Sequence, residues 1–224
     1  MSKKNKLQHF AENLTFDNMF QLAYEDIVDG FKLSGNWNTD FFQNNNNIVL
    51  ELGCGKGEYT VGMAQMFPKT NFIGIDIKGA RIWRGLVIAC EKKLNNVAFV
   101  RTRITLIEYV FGNNEISDIW ITFPDPHPRK IKQKKRLTSP QFLNRYYKVL
   151  KPDGIIHLKT DNIIFFEYTL DVIREHGHEL LYATYDVYGE ENDDALTQIQ
   201  TYYEKKWLDN GTKIKYLKFK LKPL

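Results

Sequence analysis

Two cysteines in 224 residues, Cys54 and Cys90, are too few for a disulfide framework or a cysteine-based zinc site. That scarcity points to a reducing compartment and a cytoplasmic location. No run approaches the ~18 apolar residues of a membrane helix, so no membrane association is expected. The basic start Met1-Ser2-Lys3-Lys4-Asn5-Lys6 leads into no apolar stretch of the kind a secretory signal carries. His9, His127, His157, His176 and His178 show no ligand spacing, so no metal is expected. Charge of one sign is also scarce. The 31 Lys plus Arg against 27 Asp plus Glu leave a net +4, too slight to name a polyanionic partner until its distribution is known. What the chain does have is a 43% hydrophobic fraction with 14% aromatic residues, enough for the packed core of one α/β domain.

No internal repeat is present, and the patch Asn44-Asn45-Asn46-Asn47 reads as a loop leading into the apolar run Ile48-Val49-Leu50. From there β-rich runs at 48–52, 71–76, 97–102, 117–122 and 154–159 alternate with helical apolar spacing at 58–67, 79–94, 104–111 and 138–149. Strands that alternate with helices pair in parallel through right-handed crossovers, which predicts a doubly wound α/β sheet with helices on both faces. Ahead of it, an extension over 1–44 holds Leu14, Phe16, Met19, Phe20, Leu22, Ala23 and Ile27, whose spacing predicts an amphipathic helix over 14–30. The stretch from Lys213 to Leu221 alternates as a half-exposed strand, and its lysines would guard an open sheet edge. The acidic cluster Glu190-Glu191-Asn192-Asp193-Asp194 reads as an exposed loop.

The first strand runs out through Glu51-Leu52-Gly53-Cys54-Gly55-Lys56-Gly57-Glu58. Glycines at 53, 55 and 57 permit a tight turn and a close ligand approach before a helix begins. Glu58 occupies the place of the third glycine of a dinucleotide fingerprint, and Glu51 would repel a pyrophosphate, so a nicotinamide cofactor fits poorly. A cationic amino-acid moiety would instead be welcome beside Glu51. The second strand ends at Asp76, 25 residues on, where a carboxylate can accept both hydroxyls of a ribose. Together these features resemble the class I S-adenosylmethionine-dependent methyltransferases, with Glu51, Gly53, Gly55 and Asp76 as cofactor residues. Taken alone, such glycines more often make a plain strand-to-helix turn; Glu51 before them and Asp76 after the next strand put the cofactor reading ahead.

The fourth strand leads into Phe123-Pro124-Asp125-Pro126-His127-Pro128. Ligands of such sheets bind beyond the carboxyl ends of the strands, and flanking prolines hold the Asp125 carboxylate in a narrow set of directions. Directly after, Arg129-Lys130-Ile131-Lys132-Gln133-Lys134-Lys135-Arg136 places six basic residues in eight. Such a run can be a solvated arm; beside a pocket, it suits the phosphates of an anionic polymer.

Phe123-Pro124-Asp125-Pro126, the basic run ending Lys135-Arg136-Leu137, Leu158-Lys159-Thr160-Asp161-Asn162 and Thr201-Tyr202-Tyr203-Glu204-Lys205-Lys206 followed by Gly211 resemble the tRNA (guanine-N7)-methyltransferase family, in the family's order, over about residues 45 to 221. The resemblance implies a class I methyltransferase domain over 45–224, Rossmann-like and mostly parallel with an antiparallel C-terminal strand. It also implies S-adenosyl-L-methionine as cofactor, tRNA as partner, and methylation of N7 of guanine 46 in the variable loop. Asp125 would be the active-site carboxylate. Asp125, Arg129, Asp161, Thr201, Tyr202, Tyr203 and Glu204 would contact the substrate, and Lys130, Lys132, Lys134, Lys135 and Arg136 the RNA backbone. His127 stands where the family often has Trp. Thr102-Arg103-Ile104 stands where it often has an acidic or amide side chain, so Ile104 would offer only its backbone to the adenine. Thr201-x-x-Glu204 is also a capping box, and Asp161 or Asn162 could cap the next helix. Another RNA or a small molecule as methyl acceptor, and a non-catalytic RNA-binding protein on the same scaffold, are the competing readings. A monomer and a homodimer are equally open.

Overall fold

The computed structural model of the protein describes residues 3–190 and 195–223. The strand β1 (Met19–Gln21) is followed by β2 (Asn47–Leu52), β3 (Thr70–Asp76), β4 (Val97–Arg101), β5 (Ile116–Thr122), β6 (Leu150–Thr160), β7 (Glu179–Thr184) and β8 (Lys215–Lys220). They form one sheet in the order β1-β4-β3-β2-β5-β6-β8-β7. Every pairing is parallel except those of β8, which runs antiparallel to both β6 and β7. The chain winds one way from β2 through β3 to β4, then restarts beside β2 with β5. The carboxyl ends of β2 and β5 therefore flank a topological switch point, where ligands of open α/β sheets bind.

Side chains alternate across each strand and feed two cores. Leu50, Leu52, Ile73, Ile75, Ile119 and Ile121 face a layer that includes α4 (Ile107–Val110), α5 (Pro140–Val149) and α6 (Ile163–Glu175). Val49, Phe72 and Trp120 face α2 (Glu58–Met66) and α3 (Gly79–Glu91). Both faces are thus covered, as continuous apolar strands require.

The helix expected over 14–30 is not formed. Helix α1 (Lys3–Glu12) lies earlier and packs on α3, with the His9 ring stacked on Trp83 at 3.8 Å and 4°. Met19, Phe20 and Gln21 instead pair in register with Phe99, Val100 and Arg101 as an edge strand, while Ile27 is fully buried in a turn region. Of the apolar residues in that pattern only Ile27 is buried, and Leu14 is 77% exposed; pairing with a strand some 80 residues away sets the conformation of Met19–Gln21. The lysine-rich strand is also displaced from its expected place: β8 is internal, and β7, which lacks a strong alternation, takes the edge. Of the acidic cluster, only Glu190 belongs to the described residues, accepting from Thr184 Oγ1 at 2.6 Å; residues 191–194 lie outside them. Among the described residues no helix is long and apolar enough to cross a membrane, and no group of three His, Cys, Asp or Glu side chains gathers as a metal site would.

Candidate active site

Glu51 closes the floor of the site. Its carboxylate is buried on the central strand, accepting from Thr60 N at 2.9 Å, from the Thr60 hydroxyl, and from Thr122 Oγ1 at 2.6 Å. Burial pushes it up to about 7, against the hydrogen bonds from Thr122 and Thr60 that favour the ionised form. No Lys or Arg pairs with it among the described residues.

The chain then turns sharply. Gly53 and Gly55 take φ of +74° and +57°, and a Cβ at Gly53 would meet nothing within 4 Å while one at Gly55 would touch only a carbonyl at 4.0 Å. Both therefore leave open space above the backbone. Gly57 differs: a Cβ there would lie 2.6 Å from the Phe99 ring, so its glycine serves helix–strand packing. Gly53 N and Cys54 N both donate to Ile75 O, and Gly55 N donates to Asp76 Oδ2 at 2.9 Å. Lys78 N occupies the other carboxylate oxygen of Asp76 at 2.7 Å. The loop and Asp76 thus orient each other.

A cavity of about 460 Å³ opens over this loop, lined by Glu51, Gly53, Gly55 and Asp76 from one side and by Thr201, Tyr202 and Tyr203 from the other. Beside Cys54, Glu58 and Ala80, it is also lined by His9, Lys56, Arg81, Trp83, Arg84, Thr122 and Phe123. None of these last seven was singled out as a cofactor or substrate residue by motif; only Thr122 and Phe123, at the tip of β5, carried a topological signal. A second cavity of about 550 Å³, lined by Gln21, Leu22, Ile77, Arg101, Thr102 and Arg103 among others, faces the residue next to Asp76. Ile104 lines neither; its half-buried side chain packs against the core.

The proline loop is held from behind. Phe123 and His127 frame it with left-handed φ of 48° and 42°, conformations a non-glycine residue adopts only when its surroundings impose them. Phe123 N donates to Lys159 O at 2.9 Å, and the His127 end is held by Arg136, which is 2% exposed, donates to the carbonyls of Pro126 at 3.1 Å and His127 at 3.2 Å, and stacks on Tyr168 at 4.3 Å. Arg136, whose place in the basic run suggested an RNA contact, is instead engaged inside the protein. Asp125 itself projects with its side chain 75% exposed, accepting from His127 N at 3.3 Å. Arg129, Lys130, Lys132, Lys134 and Lys135 are exposed on a tight helical turn.

After the short α7 (Ala195–Gln198), Thr201 and Glu204 form the capping box of α8 (Tyr202–Asp209). The Glu204 carboxylate points inward, fully buried against Lys159 Nζ at 2.6 Å and Tyr188 OH at 2.8 Å, so it is not placed to touch a substrate. Its burial raises its pKa, with Lys159 opposing that shift. The pair ties α8 to the end of β6, and Tyr202 N donates to Glu58 at 3.0 Å while Lys56 lies 4.3 Å over the Tyr202 ring. Tyr202 and Tyr203 are thereby held half-exposed at the cavity mouth. Asp161 sits half-buried at the carboxyl end of β6, its carboxyl pushed up by burial. Asn162, not Asp161, caps α6 by accepting from Phe165 N at 2.9 Å.

A buried carboxylate below a glycine turn at the switch point, with a second carboxylate at the next strand tip, is the arrangement of a class I methyltransferase. Solved structures agree on the fold: a 16S rRNA methyltransferase, KamB, matches with TM-score 0.64 at 13% identity, covering 85% of this chain and 95% of that one. The 16S rRNA (adenine(1408)-N(1))-methyltransferase from Catenulisporales acidiphilia matches at 0.60 and 12%, covering 83% and 93%. A family model described as "Putative methyltransferase" matches residues 45–217.

The chain belongs to the tRNA (guanine-N7)-methyltransferase family. The protein of that name from Christiangramia forsetii is 54% identical, covering 99% of this chain and all of its own. Those from Bacteroides thetaiotaomicron and Clostridium novyi are 48% and 41% identical, covering 97% and 89% of this chain and 86% and 92% of theirs.

Because Lys159 and Glu204 are both fully buried, removing one leaves an uncompensated charge. Lys159→Met is expected to cost about 3–5 kcal/mol in urea unfolding, and adding Glu204→Gln to it should restore much of the loss.

Proposed function

We propose that the protein transfers a methyl group from S-adenosyl-L-methionine to N7 of a guanine in tRNA, at position 46 of the variable loop. The observation that carries this reading is the buried, cation-free carboxylate of Glu51 beneath two glycines whose Cβ directions are open. The names of the relatives support tRNA and guanine N7 as the target; position 46 rests on the family resemblance alone.

The residues present fit the cofactor. Glu51 favours an ammonium over a phosphate. Asp76 has each oxygen aimed by one backbone N–H, and its remaining lone pairs suit two ribose hydroxyls. Ile77, 51% exposed, offers an apolar face to a flat base, and the buried Thr102 Oγ1 beside it has no hydrogen-bond partner among the described residues. The backbone of Ile104 would contact the adenine, and Arg103, which lines the second cavity, would lie beside it. S-adenosylmethionine, when bound, supplies an electrophilic sulfonium methyl.

The lone pair of guanine N7 is available at neutral pH, so the chain needs no base to deprotonate it; its task is alignment at roughly 3–3.5 Å. The purine gains positive charge as it is methylated. Asp125, rigidly presented and exposed, would hold the guanine's N–H donors and stabilise that charge. Arg129, Asp161, Thr201, Tyr202 and Tyr203 would position the nucleotide, and Lys130, Lys132, Lys134 and Lys135 would neutralise tRNA phosphates. Reaction with tRNA and labelled methyl donor, followed by mild reduction and aniline cleavage, should break the strand at the modified guanine. In that assay Asp125→Asn should lose two or more orders of magnitude in rate with an unchanged melting temperature, since its side chain supports little of the fold; near-normal turnover refutes its role.

An ammonium beside Glu51 favours its ionised form. Below pH 7 cofactor binding should therefore release a proton, with affinity rising as pH increases towards about 7 and levelling above it. Calorimetric titration in two buffers of different ionisation enthalpy reads the proton, and Glu51→Gln should abolish the slope. Neutralising Lys132, Lys134 and Lys135 should lower the salt dependence of tRNA binding by about two to three counterions; an unchanged slope contradicts the phosphate contacts.

A further inference from the structure

Beyond the carboxyl end of β6, the basic turn and the start of α6 face each other across a shallow cleft of about 440 Å³. Pro128, Ile163, Ile164 and Tyr168 give it an apolar floor, and Lys130 and Gln133 stand on its rim. Ile163 and Ile164 are 44% and 52% exposed, although the first turn of a helix is a place where polar residues cost nothing. Two acidic residues also border the cleft, but each is engaged elsewhere: Glu167 accepts from Tyr185 OH at 2.7 Å and Asp171 pairs with Arg174 at 2.6 Å. Lys130 has no ion pair among the described residues, nor have Lys132, Lys134 or Lys135 on the same turn.

We propose that this cleft binds one nucleotide of the RNA substrate adjacent to the one being modified, with its base against Ile163, Ile164 and Pro128 and its phosphate against Lys130. The proposal rests on the methyl-transfer reading above and adds a subsite to it. An apolar floor with an unpaired cationic rim matches a nucleotide's flat base and charged phosphate better than it matches a protein surface, whose apolar patches carry no regular negative charge. Position supports the same occupant. The cavity at β2 and β3, the Asp125 loop at β5 and this cleft at β6 and α6 follow one another along the carboxyl ends of the strands, so the cleft is next in line for an RNA strand whose guanine is at Asp125 and which runs away from the cavity. Arg136 connects the two, since it anchors the Asp125 loop and also lines the cleft through its stack on Tyr168.

The test uses the full chain and an unmodified tRNA transcript. The double variant Ile163→Ser/Ile164→Ser should bind the transcript about tenfold more weakly, with affinity for S-adenosylmethionine and melting temperature unchanged. Ile164→Ser alone serves if the double variant is unstable, and should show part of the same loss. Undiminished transcript binding by a variant whose wild type methylates overturns the cleft while leaving the enzymatic reading intact. A wild type that binds no tRNA overturns both. If sedimentation instead shows the substitutions converting a dimer to a monomer with tRNA affinity retained, the cleft belongs to a second copy of the chain and the proposal fails.

Discussion

The arrangement depends on one buried carboxylate. Removing Glu51 from water is costly, and its three hydrogen bonds offset part of that cost while joining the central strand to the start of α2 and the tip of β5. Because those three elements meet at the switch point, the same contact sets the take-off of the glycine turn and the spacing between β2 and β5. The compensation is incomplete, since the group is still raised to about 7. One side chain thus cross-links three elements and also lines the cavity above them.

Around that point the molecule brings loops to the carboxyl edge of the sheet and immobilises each from the interior. Arg136 reaches back from the basic run to hold the proline loop in a strained backbone. Lys159, at the end of β6, reaches Glu204 and brings in α8 from beyond β7. In both cases a charged residue in a motif that looks made for ligand contact is instead buried. Buried pairs of this kind add little net stability compared with apolar packing, but an unpaired member would be severely unfavourable, so they permit very few alternative placements of the loops. Asp125, Tyr202 and Tyr203, in the same motifs, remain exposed.

The sheet between residues 48 and 160 was legible because parallel strands buried on both faces read as continuous apolar runs separated by helical spacing. The strands there begin and end within a few residues of expectation. The misreadings lie at the two ends of the chain. Met19–Gln21 is too short to show a period and became a strand by joining β4. The lysines of β8 suggested an edge, but alternation reports only that one face is wetter than the other, and β7 supplied the edge. For the site, Glu51, Gly53, Gly55, Asp76, Thr201, Tyr202 and Tyr203 were found from motifs and do line one cavity. His9, Arg81, Trp83 and Arg84 were not, because helical residues in an amphipathic pattern carry no local mark of facing a cavity.

By itself, then, the amino-acid sequence determined the fold class, the glycine turn with its two acidic partners, and the concentration of positive charge at 129–136, since each depends on residue type and short-range spacing. It did not determine which members of a motif face outward. Arg136 and Glu204 belong to the same runs as Lys135 and Tyr203, and only the packing of β6, α6 and α8 turned the first two into the protein and left the others exposed. Burial of a charge is decided by whether a partner can reach it, and those partners, Lys159 for Glu204 and the carbonyls of Pro126 and His127 for Arg136, become neighbours through the tertiary fold.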